Sequence, residues 1–336
     1  MKLRYYQRDA IDSLHKWFNT RPAEDHALIA LPTAAGKTII FSHFIKEIFA
    51  KDPTARFLVL AHRKELVEQA ETKLKTVWPE APVGVLAAGM KRFEIDSQIL
   101  IASRDTLASP KRLGAVGSFD YMIIDEAHNV PPSSHTRYKK IITTVSDRKP
   151  MRVMGCTATP YRMGQGYIYG NRKDHFFKGL AYSVSIPELI RNGFLSRLSA
   201  YAVNDNAVID AGAVALKFKN GDFKESELEK IAMVDDTILQ VINDWIDNAY
   251  TKGRTATVFF CVSVLHAEKM TQCLKNYGIM AECVTGETPK EKREDILEKF
   301  NNGLIHAICN VGVLTEGWDA PRADCVALLR PTQSVG

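Results

Sequence analysis

The apolar residues of the first half of the chain fall into short continuous runs separated by longer stretches of helical character. "HALIAL" (26–31), "RFLVLA" (56–61), "QILIAS" (98–103), "YMIIDE" (121–126) and "RVMGCTAT" (152–159) are blocks of strand length. Between them lie helix-like segments such as "GKTIIFSHFIKEIFAK" (36–51) and "KELVEQAETKLKTVW" (64–78). Strands that are apolar at consecutive positions are buried on both faces. Their alternation with helices predicts a parallel sheet covered on each side. Ligands bind such sheets beyond the carboxyl ends of the strands, so the residues just after each run are where chemistry is expected.

From about 160 to 195 the pattern weakens, with Gly and Tyr scattered through "YRMGQGYIYGNRKDHFFKG", and a helix-like "SIPELIRNG" follows. This stretch reads as an insertion leading to a connector. The polar helical region "ESELEKIAMVDDTILQVINDWIDNAY" (225–250) then precedes a second series of strand-like and helix-like blocks. Its strands are "TATVFFCV", "MAECVTG", "IHAICNV" and "DCVALLRP". The fold class is α/β, with two tandem parallel-sheet domains: 1–195, a connector over 196–235, and 236–336. A chain of 336 residues exceeds what one core usually organises. "RPTQSVG" (330–336) comes straight after an apolar strand, so the second domain is expected to be incomplete.

Composition changes this picture little. With 46% hydrophobic and 25% charged residues the chain is of ordinary globular type. A net charge of +5 permits a polyanionic partner without requiring one. The six cysteines never form C-x-x-C and no His pair completes a zinc pattern. Most sit in apolar runs, as expected of reduced thiols in a reducing compartment. The N-terminus "MKLRYYQRDAIDSLHKWF" is amphipathic with no apolar core of a signal peptide. No apolar stretch approaches the ~20 residues that span a bilayer. The expectation is a soluble cytoplasmic protein with no membrane partner.

Three stretches carry chemistry. In "ALIALPTAAGKTIIFSHFI" (27–45) a strand runs into Gly36-Lys37-Thr38 at a helix start. Backbone amides and the helix N-terminus would face an anion there, Lys37 adds a point charge, and the Thr38 hydroxyl can hold magnesium. The strict phosphate-loop pattern wants a glycine where Leu31 stands, and G-K-T also opens ordinary helices. In "FDYMIIDEAHNV" (119–130) Asp125 and Glu126 end a buried strand, where a cation or water can meet them. One carboxylate can hold magnesium while its neighbour orients or deprotonates a water, although D-E also caps helices. In "GCTATPYR" (155–162) Thr157 and Thr159 follow an apolar strand and Pro160 stops it, either as a polar turn or as a link to an adjoining site.

In this order the three stretches resemble the superfamily 2 helicases, with "PTAAGKT" as motif I, "DEAH" as motif II and "TATP" as motif III. "LRYYQRDAI" resembles the glutamine motif and "VLAHRKELVEQ" motif Ia. "IASRDTL" is similar to a later strand-end motif, "TVFFCVSVLHAEKM" to motif IV and "VGVLTEGWDAP" to motif V. "TATPYRMGQG" and "VLTEGWDAP…LLRPT" look most like bacterial and phage RadD-type proteins.

The resemblance implies two RecA-like domains, and ATP and Mg²⁺ as ligands. Lys37 and Thr38, with Pro32, Thr33, Ala34, Ala35 and Gly36, would form the phosphate seat. Thr38 and Asp125 would hold magnesium (Asp125 directly or through water), and Glu126 would direct the attacking water. Arg4 and Gln7 would meet the adenine side, and Gly317 and Asp319 would approach from the second domain. Thr157 and Thr159 would couple the nucleotide site to the domain interface, and Arg63 and Thr106 would touch nucleic-acid phosphates. The partner implied is nucleic acid, single-stranded or branched DNA before RNA, with repair or replication proteins as further partners and the chain a monomer. The family usually has glycine where Ala34 stands; a left-handed backbone there would cost alanine roughly 1–2 kcal/mol.

The family's motif VI, which carries an arginine finger, does not occur before Gly336. Loss of such a finger costs on the order of 10³–10⁵ in rate in related phosphoryl transfer, so poor hydrolysis is expected of this chain as it stands. Two further readings remain at this point. One is a nucleotide-responsive nucleic-acid-binding module with little turnover, and the other a translocase subunit of a restriction or repair complex.

Overall fold

The computed structural model describes residues 2–131, 136–162, 166–172, 175–200, 218–219, 222–223, 225–314, 318 and 320–330. The chain divides into two compact units, Met1–Arg197 and Leu198–Gly336.

The first unit is built on an eight-stranded sheet. Its strands are β1 (Ala27–Ala30), β2 (Phe57–Ala61), β3 (Val83–Ala87), β4 (Arg92–Phe93), β5 (Ile99–Ser103), β6 (Tyr121–Ile124), β7 (Arg152–Thr157) and β10 (Gly179–Ser183). A separate two-stranded ribbon pairs β8 (Tyr161–Arg162) with β9 (Gly166–Tyr167). The order across the sheet is β10-β1-β7-β6-β2-β5-β3-β4, parallel throughout except for the β3–β4 pair. The helices of this unit are α1 (Tyr5–Thr20), α2 (Lys37–Lys51), α3 (Lys64–Val77), α4 (Arg104–Leu107), α5 (Pro110–Ala115), α6 (Arg137–Ser146) and α7 (Ile186–Arg191).

The continuous apolar runs have their expected cause. Side chains alternate across a strand, and here both faces are buried. Ala27, Ile29, Phe57, Val59, Ile99, Ile101, Ile123 and Met154 enter one core, shared with α1, α2 and α3. Leu28, Leu58, Leu60, Leu100, Met122, Ile124 and Val153 enter a second core, which includes Tyr138, Ile141 and Val145 of α6. The stripe Tyr6, Ala10, Ile11, Leu14, Trp17 and Phe18 turns one side of α1 into the first core.

Three strands of the sheet lie outside the runs read from the sequence, one of them the two-residue edge strand β4. The strand β3 comes from the mixed "PVGVLAAG". The edge strand β10 comes from the stretch read as an insertion, where its residues are only partly buried. Gly179 lies so close to Trp17 that a Cβ there would stand 2.7 Å from the indole. An edge strand covered by one helix has no continuous apolar signature, which is why this one does not stand out.

In the second unit, β13 (Thr257–Phe260), β14 (Ala281–Val284), β15 (Ala307–Asn310) and β16 (Cys325–Leu328) form a parallel sheet in the order β14-β15-β13-β16. Helices α8 (Glu225–Ala232), α9 (Asp235–Asn248), α10 (Val264–Asn276) and α11 (Lys290–Asn301) accompany it, with a small pair β11 (Phe218–Lys219) and β12 (Asp222–Phe223) before them. Phe259, Cys261 and Cys309 pack with Ile242 and Trp245 of α9, while Val258 and Ile308 pack with Ile296 and Phe300 of α11. Part of the stretch read as a connector is thus helical: Leu228 and Ala232 of α8 pack against Val262 of the second unit. The six cysteines are all free thiols. Among the described residues no helix is long and apolar enough to cross a membrane.

Gly155 in β7 generates a prediction. A Cβ there would lie 2.5 Å from Phe177 and 2.7 Å from the Cβ of Ala127, so two neighbours would have to move. We expect Gly155→Ala to destabilise the first unit by about 1–3 kcal/mol. Chemical denaturation checks this, as a lowered midpoint at unchanged slope.

Candidate nucleotide site

The pairing of β1 with β7 continues one residue past β1, where Leu31 N donates to Thr157 O (3.0 Å). The chain then turns, with Ala35 N donating to Pro32 O (3.2 Å), and enters α2 at Lys37. Two residues of this turn have left-handed backbone, Ala34 (φ 65°) and Gly36 (φ 81°). Pro32 and Ala35 are buried, whereas Thr33 and Ala34 are exposed. From the side of α1, Tyr6 Oη and Gln7 Nε2 both donate to Ala35 O (2.9 and 3.1 Å). Gln7 Oε1 in turn accepts from Arg4 N (3.0 Å), the returning half of a capping box. At Gly36 a Cβ would stand 2.6 Å from Gln7 Nε2, so glycine is needed for both its backbone angle and its space. With glycine as its N-cap, α2 has no side-chain cap, and its first amides are the donors a phosphate would meet.

The adjacent strand β6 delivers the two carboxylates. Asp125 N donates to Leu60 O (3.0 Å), which holds the strand end in the sheet. The Asp125 side chain is buried. Burial pushes its pKa up to about 6, helped by the neighbouring Glu126 and opposed by Lys37 and by the Glu126 amide. That amide donates to Asp125 Oδ1 (3.0 Å). Glu126 is left-handed (φ 49°, ψ 55°), and its Oε1 lies 3.8 Å from Lys37 Nζ. Among the described residues, three non-glycine positions have positive φ, and two of them, Ala34 and Glu126, belong to this site. Strain of this kind concentrates where function over-determines the backbone.

A polar chain continues from Glu126. His128 Nδ1 lies 3.4 Å from Glu126 Oε2 and 3.1 Å from Thr157 Oγ1. Thr157, fully buried, accepts from Thr159 N (3.0 Å). Arg162 then donates to His128 O (2.9 and 2.7 Å) and to Val130 O. Burial lowers the pKa of this guanidinium. Tyr6, His128 and Arg162 were not among the sequence candidates. His128 was visible in "DEAH", while Tyr6 and Arg162 carry no signal short of the fold.

The remaining candidates are placed as follows. Thr38 opens the first turn of α2 and its carbonyl accepts from Ser42 Oγ (2.7 Å). The Arg4 guanidinium sits 5.2 Å from the Phe194 ring and donates to Tyr6 Oη (3.0 Å). Arg63 is the N-cap of α3. Thr106 is buried in α4 and its hydroxyl accepts from Ala88 N (3.0 Å), which leaves only its hydroxyl proton to offer. The structure therefore groups Gln7, 32–38, Asp125, Glu126, Thr157 and Thr159 around one strand edge, with Arg63 and Thr106 on other strand ends of the same sheet. Gly317 and Asp319 lie outside the described residues.

The donor set fits a nucleotide with a hard divalent cation. The loop offers backbone amides and an ammonium, and beside it Asp125 is a buried carboxylate whose charge Lys37 and the Glu126 amide partly offset. A parallel α/β sheet with a lysine-bearing loop after β1 and paired carboxylates after β6, on either side of β7, defines the nucleotide-binding half of a RecA-like fold. The chain belongs to the superfamily 2 helicases. Residues 1–162 match the family described as type III restriction enzyme, res subunit, and residues 235–336 the helicase conserved C-terminal domain.

Among relatives, a Saccharomyces cerevisiae protein named as an ATP-dependent helicase, IRC3, is 28% identical over 99% of this chain and 47% of its own length. The chain spans about half the length of the curated IRC3-named relatives it matches. The Hef helicase domain of Pyrococcus furiosus superposes with a TM-score of 0.57 at 14% identity, covering 98% of this chain and 90% of that one. The type ISP restriction-modification enzyme LlaBIII, solved bound to DNA, gives 0.64 at 16% identity over 98% of this chain and 26% of its own. These two likenesses show the fold, which is RecA-like in both families. The narrower likeness to RadD-type proteins gains no support from these relatives.

Two predictions follow from the geometry. Asp125 ionises only as pH rises through about 6, so its charge burdens the folded state above that pH and not below the ordinary 3.8. In the nucleotide-free protein, Asp125→Asn is expected to stabilise by about 1–3 kcal/mol at neutral pH. The gain should fade as pH falls below about 6, read from melting curves across pH. At Ala34, glycine relieves about 1–2 kcal/mol of left-handed strain but adds unfolded-state entropy worth about 0.4–1 kcal/mol. Ala34→Gly should therefore gain between about 0 and 1.6 kcal/mol while leaving ATP affinity within a few-fold, checked by melting and nucleotide titration.

Proposed function

We propose that this chain is the ATP-driven motor core of a DNA translocase or helicase. The observation that carries the reading is the grouping of Lys37, Asp125 and Glu126 at one edge of the sheet, past the ends of β1 and β6, with Lys37 Nζ 3.8 Å from Glu126 Oε1. The ordered motifs and the helicase family matches support it.

In this reading the amides after Gly36 and the Lys37 ammonium hold the β- and γ-phosphates. Glu126 orients a water for attack and takes its proton. Thr38 and Asp125 are the oxygen donors that would hold magnesium, and the ion when bound neutralises charge on the phosphate oxygens. Gln7 and Arg4 meet the adenine. Gln7 must then exchange a hydrogen bond it now makes to the loop, which would link base recognition to the loop's brace on Ala35. The Glu126–His128–Thr157–Thr159 chain passes the state of the nucleotide to the strand end of β7. Arg63 and Thr106 would position a nucleic-acid backbone without reading its sequence.

The restriction-subunit family match, and a structural neighbour solved bound to DNA, favour a second form of the same reading: a translocase subunit that moves along duplex DNA without separating it.

ATP turnover with and without single-stranded and duplex DNA tests the proposal. DNA should stimulate turnover several-fold, and the stimulation should fall with salt. Lys37→Ala and Glu126→Gln should each lower turnover by at least about 10²-fold, with Glu126→Gln retaining nucleotide binding. Turnover indifferent to any DNA and to both substitutions overturns it. Strand displacement, measured alongside, separates helicase from translocase.

A further inference from the structure

The ribbon β8–β9 follows directly after Thr159-Pro160, and its two faces differ in kind. On the inner face Arg162 donates to the carbonyls of His128 and Val130, in the turn that follows the two carboxylates. Ile168, just past β9, is buried in the second core of the unit, and its amide donates to Pro160 O (3.0 Å). The outer face carries tyrosines. Tyr161 and Tyr167 are direct cross-strand partners, 36% and 60% exposed. Tyr169, two residues beyond Tyr167, lies with its ring centroid 5.3 Å from that of Tyr167.

The solvent side of a short ribbon ordinarily carries polar residues. Two exposed rings paired across the strands, with the half-buried Tyr169 ring packed between Tyr167 and the second core, are instead an apolar patch, and such patches mark binding surfaces. The sequence between Pro160 and Gly179 has four basic residues against one acidic, a local balance that suits a polyanion. Exposed tyrosine rings in a basic stretch of chain are elements of a base-stacking platform.

We propose that the outer face of this ribbon, Tyr161 and Tyr167, stacks the bases of single-stranded nucleic acid, with Tyr169 supporting Tyr167 from the core side. The proposal rests on the motor reading and adds to it a base contact distinct from the backbone contacts expected of Arg63 and Thr106. Through Arg162 the platform is tied to the His128 and Val130 carbonyls, so an occupied platform and the catalytic turn share one rigid connection.

Stacking requires bases, whereas phosphate contacts do not, and the test uses that difference. Affinity for oligothymidine and for an abasic strand of equal length is measured at one salt concentration by fluorescence anisotropy. The substitution pair Tyr161→Ala with Tyr167→Ala should weaken oligothymidine binding by roughly fivefold or more and leave the abasic strand unchanged. Phenylalanine at both positions should keep wild-type affinity. Independently, Tyr167→Trp places an indole on the ribbon, whose added emission should be quenched by oligothymidine and not by the abasic strand.

An equal loss on both strands, as when the tyrosines support the fold or cover a protein surface, overturns the platform. So does no loss on oligothymidine or an unquenched indole. In each of those outcomes wild-type DNA stimulation of turnover still stands. A wild-type protein that binds neither strand and shows no stimulation removes the motor reading as well.

Discussion

The parallel pairing of β1 beside β7, and of β7 beside β6, is the constraint on which the candidate site depends. It sets three strand ends side by side, so that the phosphate-type loop, the two carboxylates and the paired threonines meet although about 120 residues separate the first from the last. The hydrogen bond from Leu31 N to Thr157 O extends that pairing beyond the strand and fixes where the loop departs. Register therefore decides function here: a strand shifted by one residue would turn Asp125 or Thr157 to the opposite face.

Within that frame the site is held against its own preferences. Ala34 and Glu126 adopt a backbone that side-chain-bearing residues avoid, and Asp125 keeps a carboxylate where burial resists its charge. Each has an identifiable counterweight. Tyr6 and Gln7 brace the loop from α1 through Ala35 O, the Glu126 amide bonds Asp125, and His128 connects Glu126 to Thr157. Arg162 secures the carbonyls on the far side of the same turn. A bound cation would relieve the largest of these tensions, the buried carboxylate, so ligand affinity and stability of the empty protein are expected to oppose each other at Asp125.

The two units contribute unequally to what is known of the site. The first supplies every described group of the nucleotide seat. In the second, the parallel sheet ends in Asn310, whose buried side chain donates to Phe259 O (3.0 Å) at the strand edge. The motif V residues Gly317 and Asp319 follow outside the described residues.

The sequence by itself determined the fold class and singled out the candidate positions of the site. Strands buried on both faces must be apolar at consecutive residues, and a phosphate loop and paired carboxylates are contiguous in the chain. Such local patterns survive without coordinates. Edge strand β10 did not survive that way, because its residues are at most half-buried and Gly179 gives way to Trp17, which leaves no long apolar run. The helical character of 225–250 was legible, but not that α8 packs through Leu228 and Ala232 against Val262. Only tertiary structure decided that Ala34 is left-handed, that Asp125 is buried enough to resist ionisation, and that Tyr6 braces Ala35. The same holds for Arg162, which ties an exposed tyrosine ribbon to the turn after the two carboxylates. Each of these is a contact or a dihedral between residues distant in sequence or set by their surroundings, and no residue type announces it alone.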